Sequence, residues 1–567
     1  MKRYALGLSL LVLFSLATIQ SNAVKIQEEL PAYGGTLVVT IGYEPLTFNS
    51  MFEAGATQYL IMVLGTLVRA DYDGSIIAGF AKSWDISSDG LTYTFQLYEN
   101  VTFHDGVPLT SNDIKYTFDV MRNPDTGAVR YSDLKIIANI EAPADYTIVF
   151  HLEEQSALFL LNLAGLGILP KHIWENADLQ TSEYNYKPVG AGPWNLTDWV
   201  KLDHMTFEAY DNYHLGRPYM DKIIMKVTPE PAVQLTAVEA GDVDYLPYYS
   251  VLGSLEYSLV NEAKKNPDLV VSGFGSLSIQ FLYFSCDKPP FNNTLVRQAI
   301  CHAIDRDFII DTLLLGYAEK PETVLPVEIW CYNQDVPVYN YDPAKAEQLL
   351  DEAGYPRLEG EVRFHTTIYA TPGFRVTMSE AIKEYMRTVG IEANIVSTEW
   401  TAYWAKLTET RDQNGVWSVW SWPLTDPDMM SYDLTSENIF VGGSNIASYS
   451  NPEVDQLFDE GRITIDIQKR TQIYEEMQLL VSQDVPLWPL YEPAGMDVWN
   501  TRVKDMKHSN PFAYQYFMPL ETAYLETQTP TPPPTFPTAA IVGIIVVIAV
   551  VAVMVTFLVR KRKTKAN

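Results

Sequence analysis

The sequence predicts a mixed α/β domain built on more than one sheet, followed by one C-terminal transmembrane helix. Three observations carry that expectation. Strand-like and helix-like runs follow one another in irregular order between about Lys25 and Gln528, with no low-complexity linker among them. The chain has 567 residues, 47% hydrophobic and 12% aromatic, enough for a large core spread over about two to four domains or lobes. Ala539 to Val559 then form a run of 21 residues without a charge.

The elements follow in chain order. In "MKRYALGLSLLVLFSLATIQSNAVK", Lys2 and Arg3 precede an apolar run from about Ala5 to Ile19 and the small-residue pattern Ser21-Asn22-Ala23. That is the form of a signal peptide over residues 1–23, and it holds no cysteine for lipid attachment. "GTLVVTIGY", "LTYTFQLY", "DYTIVFHL" and "DKIIMKV" are rich in β-branched and aromatic residues, and several alternate, so they predict strands. "SNDIKYTFDVMR" predicts a helix capped by Ser111. "LVRQAICHAI", "PAKAEQLLDEAG" and "SEAIKEYMRTVG" predict three more, the last two stopped by Gly354 and Gly390. Residues 528–538 are rich in threonine and proline and predict an extended spacer. A helix over 539–559, at about 1.5 Å per residue, spans roughly 30 Å, the thickness of a bilayer core. "RKRKTK" follows within the tail 560–567 and predicts a cytoplasmic C-terminus, with the domain held outside the cell membrane by a single pass.

Composition narrows the function. The formal charge is −30, and Lys2, Arg3, Arg560, Lys561, Arg562, Lys563 and Lys565 are all terminal, leaving −37 on the remainder. Phosphate would be repelled, so nucleic acid is excluded as a partner. Cys286, Cys301 and Cys331 make no disulfide framework, although one bond is open to them, and none sits at metal-ligand spacing. The eight histidines are scattered, no Walker loop or nucleophile elbow occurs, and "GFGSLS" reads as a loop or strand edge. No cofactor is expected. Asp426 and Asp428 are the one pair that suggests carboxylate catalysis, as in a glycosidase. Three Asn-x-Thr sequons, at Asn100, Asn195 and Asn292, fit an extracellular surface.

"AKSWDISSDGLTYTFQLYENVTFHDGVPLTSNDIKYTFDVM" (Ala81 to Met121) closely resembles the signature of the family 5 solute-binding proteins of ABC importers, the peptide/nickel class. "PVGAGPWNL", "GRPYMDKIIMKVTPEPAVQLTAVEAGDVDYL", "PPFNNTLVRQAICHAIDRDFII" and "YDPAKAEQLLDEAGY" match further segments in the family's order. The matches run from about Gly34 to Met518, and a C-terminal helix in place of a lipidated cysteine resembles an archaeal-type, membrane-anchored form. In "VRQAICHAIDR" the apolar face of Val296, Ile300, Ala303 and Ile304 is core packing that marks the fold without touching solute.

The resemblance implies a two-lobed, periplasmic-binding-protein-like fold (type II, cluster C) with an extra subdomain in lobe I. Lobe I would take residues of about 24–51, 187–275 and 484–527, its subdomain 52–186, and lobe II 276–483. Solute would be held between the lobes and delivered to the permease subunits and their ATPase. The expected ligand-binding residues are Tyr43 and Glu44 in "GYEPLTF", and Trp420, Trp422 and Asp426 in "VWSVWSWPLTDPDMM". Tyr369, Trp404 and, with them, Trp400 and Tyr403 are further candidates, while Trp417 is divided between core and cleft. Dipeptide-binding members hold an aspartate where this chain has Pro423, and their carboxylate-binding arginine falls near Tyr369. A zwitterionic dipeptide would lack both end-charge partners. Oligopeptide is therefore the expected solute and oligosaccharide the alternative. A secreted, anchored glycosidase and a surface-layer adhesion protein are the readings of other classes.

Overall fold

β1 (Thr36–Ile41) opens the fold, and its Leu37, Val39 and Ile41 are fully buried. The computed structural model describes residues 33–526 apart from 54, 249–256, 412–413, 422 and 513–515. The expected signal peptide, spacer, transmembrane helix and basic tail all lie outside the described residues. Among the described residues no helix is long and apolar enough to cross a membrane.

α1 (Thr57–Leu64), buried along its whole length, leads into an insertion with its own sheet. β2 (Ala81–Ile86), β3 (Thr92–Leu97), β4 (Ile137–Ala144) and β5 (Thr147–Leu152) pair antiparallel in the order β2-β3-β5-β4. β3 and β5 alternate buried and half-buried residues, as period-two patterning requires of a sheet covered on one face. α2 (Ser111–Met121) packs on β4 and β5. Its cap is Thr110, not the expected Ser111: Thr110 Oγ1 accepts the Asn112 N–H, and Asp113 accepts the Thr110 N–H at 2.8 Å. The Ser111 hydroxyl is engaged elsewhere, donating to the Ala144 carbonyl at 2.7 Å.

Past the insertion the chain returns to the first sheet with β6 (Trp194–Val200), β7 (His204–Ala209), β8 (Lys222–Val227) and β9 (Tyr245–Leu246). β10 (Leu269–Gly275) and β11 (Gln280–Phe284) follow, then α3 (Thr294–Ala303), β12 (Ala318–Glu319) and α4 (Pro343–Glu352). β13 (Phe364–Ala370), α5 (Phe374–Thr388), β14 (Ile391–Ser397), α6 (Trp400–Ala405) and β15 (Val416–Trp420) form a second α/β run. α7 (Pro452–Ile463) and α8 (Ile467–Asp484) lead to β16 (Leu487–Asn500). The expected face of α3 is core: Val296, Ile300, Ala303 and Ile304 are all buried.

These strands make one mixed sheet of twelve, in the order β14-β13-β15-β11-β16-β9-β1-β8-β7-β6, with β10 and β12 also on β16. β16 runs through both halves. Its Leu487 to Tyr491 pair with β11, and its Ala494 to Asn500 pair with β10. Residues 276–279 carry the chain from β10 to β11 along the same edge of β16. Two adjacent segments therefore join the halves, and the described residues up to Tyr524 belong to one compact unit. The halves meet again far along the sequence: the Ala157 N–H, in the insertion, donates to the Arg462 carbonyl at the end of α7, at 3.0 Å.

Candidate binding site

The two joining segments are held to each other by one carboxylate. Glu492 accepts the N–H of Leu277 at 3.1 Å and that of Val327 at 3.1 Å. Leu277 has a φ of 57°, the left-handed region that a branched side chain rarely adopts, and its carbonyl is held in turn by the Leu424 N–H at 2.6 Å. The Glu328 carboxylate sits against Gly275, where β10 ends, and a side chain there would have to displace it. Burial pushes the Glu492 carboxyl up to about 7, with Glu328 and Glu319 acting in the same direction and the two N–H donors opposing.

Beside this junction lies a cluster of polar and aromatic groups. Gln280, the first residue of β11, is fully buried; its Nε2 donates to Ser418 Oγ at 3.2 Å and its Oε1 accepts from Arg375 Nε at 3.2 Å. The Arg375 guanidinium stands 6.0 Å from the ring centre of Trp420, which is half-buried at the end of β15. Tyr491 pairs with Gln280 across β16 and β11, and the Tyr248 ring meets that of Phe274 edge-on at 5.5 Å. Phe274 stacks on His508, one wall of an open cavity of about 620 Å³ also lined by Tyr72, Val271 and Trp499. That volume is in the range of small-molecule sites.

The expected site residues do not all gather there. Trp420 does. Trp422 lies outside the described residues. Asp426 is 5% exposed, and its two oxygens accept from Arg470 Nη1 and Nη2 at 2.6 and 2.7 Å. Its Oδ1 also caps the turn that follows by accepting the Asp428 N–H at 2.8 Å. Asp426 therefore offers no free carboxylate to a solute, and its place in the ligand set is corrected to a structural one. Asp428 is equally buried, bonded by Tyr474 and Arg462 at 3.3 Å, so the paired carboxylates of a glycosidase are not presented to a substrate. Glu44 is half-buried with both oxygens engaged, by Trp199 Nε1 at 2.7 Å and by the Leu202 N–H at 3.0 Å. It ties the first loop to the β6–β7 turn.

Tyr43 is half-buried; its hydroxyl accepts from Gln58 Nε2 at 2.9 Å and its carbonyl from the Tyr59 hydroxyl at 2.9 Å. Tyr369 is half-buried and stacks on Trp417 with ring centres 3.9 Å apart; Trp417 itself is buried in the core. Tyr403 is core as well, its hydroxyl donating to the Ser418 carbonyl at 2.8 Å. Trp400 and Trp404 stack on each other at 5.6 Å and remain 47% and 37% exposed, a surface pair rather than core. Pro423 is half-buried and brings no charge. Cys286, Cys301 and Cys331 are all free thiols, raised by burial.

Sequence reasoning missed Arg375, Gln280, Tyr491 and Glu492. The one available signal was the glycine-rich "GFGSLS", which is where β10 ends and the first joining segment begins.

Comparison with known proteins bears on this geometry. The family model for bacterial extracellular solute-binding proteins, family 5, middle region, matches residues 75–440. Heme-binding protein A of Haemophilus influenzae is 29% identical, over 85% of this chain and 91% of its own length. The oligopeptide-binding protein AppA of Bacillus subtilis is 29% identical, over 82% of this chain and 87% of its own. The solved structure of that AppA, in complex with a nonapeptide, superposes with a TM-score of 0.73 at 27% identity, covering 88% of this chain and 100% of the other.

Proposed function

Because the chain belongs to family 5 of the bacterial extracellular solute-binding proteins, we propose that it captures oligopeptides between the two halves of its large sheet and delivers them to the permease of an ABC importer. The observation that carries this reading is the cluster at the joining segments. Trp420, Arg375 and Gln280 from one half adjoin Tyr491, which pairs with Gln280 where β16 passes into the other. An extended peptide lying there would find aromatic faces for its side chains and edge groups for its backbone. The likeness to peptide-bound AppA over nearly the whole chain supports the same solute class.

The two halves act as lobes, lobe I from residues 24–51, 187–275 and 484–527 with its subdomain 52–186, and lobe II from 276–483. β16, within the 484–527 segment, reaches lobe II by pairing its Leu487 to Tyr491 with β11. Peptide contacts made only when the lobes are shut shift the population toward the closed form, and the closed form docks on the permease. No bond is made or broken, so the protein is a binding subunit and not an enzyme. Residues 1–23 direct export, and 539–559 hold the domain on the outer face of the cell membrane.

The test is a titration of the full-length chain with peptides of two to nine residues and with malto- and cello-oligosaccharides, read by calorimetry and melting temperature. Saturable binding of peptides longer than two residues, with a raised melting temperature, is expected. Binding of sugars without peptides would replace the solute class, and hydrolysis of a chromogenic glycoside would overturn the binding-subunit reading.

A further inference from the structure

Buried polar side-chain atoms in a fold are almost always hydrogen-bonded, so each one that is not calls for a partner. Among the described residues ten such atoms have no partner within the protein, and three of them belong to side chains lining one small cavity: Gln58 Oε1, Trp194 Nε1 and His214 Nδ1. Gln58 lies on α1, Trp194 opens β6, and His214 follows in the loop between β7 and β8. Gln58 and Trp194 are fully buried and His214 is half-buried.

The remaining atoms of these side chains fix what each of the three can offer. His214 Nε2 lies 2.8 Å from the Gly79 carbonyl, to which it must donate. Burial pushes the imidazole down to about 4, so the ring is neutral and Nδ1 carries a bare lone pair. The Tyr43 hydroxyl donates to the Gly55 carbonyl at 3.3 Å and accepts from Gln58 Nε2 at 2.9 Å. That fixes the amide nitrogen on the Tyr43 side and leaves Oε1, an acceptor, for the cavity. The Trp194 indole can only donate. The cavity therefore presents one N–H and two lone pairs. A cation would meet the positive end of the indole N–H, and an anion would meet the two lone pairs. Arg69 and Glu521 also line the cavity, but they pair with each other at 2.9 Å. A water molecule matches all three groups at once. The space open to the centre of a water-sized sphere is about 20 Å³, against the roughly 10–15 Å³ that one ordered water needs.

We propose that this cavity is a specific site for one ordered water molecule, which accepts from Trp194 Nε1 and donates to Gln58 Oε1 and His214 Nδ1. The water joins α1 to β6 and to the β7–β8 loop. It also holds the Gln58 amide in the orientation that presents Nε2 to the Tyr43 hydroxyl, so the first loop is positioned from inside the fold.

The test is a crystal structure of the full-length chain, determined once in ordinary buffer and once under xenon pressure. One water-sized peak within about 3.2 Å of all three atoms, with no xenon beside it, is the expected result. An empty cavity or a xenon atom in it would show a dry void, and a peak at about 2.0–2.6 Å from its ligands would show a metal ion. Any of these overturns the proposal. Protein carrying isotope-labelled tryptophan gives a second reading in solution. The indole N–H signal that is lost in Trp194→Phe should show, in the parent, a nuclear Overhauser effect to a long-lived water. Its absence from that resolved signal would also overturn the proposal. The crystal result stands whether or not the variant folds.

Discussion

The substitution Asp426→Asn separates a residue of the fold from a residue of the site. The Asp426 carboxylate is bidentate to Arg470 and both side chains are almost fully buried. Arg470 also donates through Nε to the Gly461 carbonyl at 2.9 Å and lies over the rings of Trp330 and Tyr474, so it cannot turn to solvent without dismantling three elements. An asparagine side chain would keep the volume and the cap on the Asp428 N–H, because asparagine caps as well as aspartate. What changes is the charge, which leaves Arg470 buried and unpaired. Removing one partner of such a pair costs about 3–5 kcal/mol. The loss should appear in urea denaturation as a lower midpoint at an unchanged slope. Peptide affinity of the folded variant, measured by calorimetry, should stay at the parental value. A variant within about 1 kcal/mol of the parent in stability that has lost most of its peptide affinity would refute this reasoning and return Asp426 to the ligand set.

Two further outcomes follow from the same structure. The Glu492 carboxyl stands at about 7 in the fold against an ordinary 4.5, so between those values the folded state keeps a proton that the unfolded chain has lost. Stability therefore falls as pH rises from about 4.5 to about 7 and levels off above, by on the order of 3 kcal/mol for this group. Glu492→Gln should flatten part of that slope in denaturation midpoints taken across the window; Asp433 and Asp497, raised to about 7 and about 6, keep the rest. An unchanged slope would show that Glu492 does not hold its proton there. Truncation after Gln528 should move the protein from the membrane pellet to the soluble fraction of expressing cells, and continued pelleting would remove 539–559 as the anchor.

The elements that were legible share a property: their pattern repeats within the segment itself. β1, β3, β5 and β8 could be read from alternation and β-branched content, and α2 to α5 from spacing and from Gly354 and Gly390. Gly354 and Gly390 have φ of 88° and 83°, as helix stops require. The cap of α2 was misread by one residue because Thr110 and Ser111 are chemically equivalent candidates, and only the Ala144 carbonyl, a distant partner, decides between them. "GFGSLS" shows the same limit at larger scale. Its glycines mark an irregular edge, but its role at the crossing depends on Glu492, more than two hundred residues later.

Charge is where the two readings part most widely. In a chain so rich in acids, an aspartate beside a proline and three tryptophans invites a role in binding, yet Asp426 and Glu44 are both fully engaged within the fold. A buried acid in such a chain is selected by the cation or N–H it satisfies, and that partner is invisible locally: Arg470 is 44 residues away and Trp199 is 155. An arginine is the scarcer charge, so its lack of an acid says more than an acid's presence does. Arg375 could not be singled out from "TPGFRVTMS", where it resembles any cation on a helix face. Its placement by Gln280 and Thr371 against Trp420 emerges only in the fold.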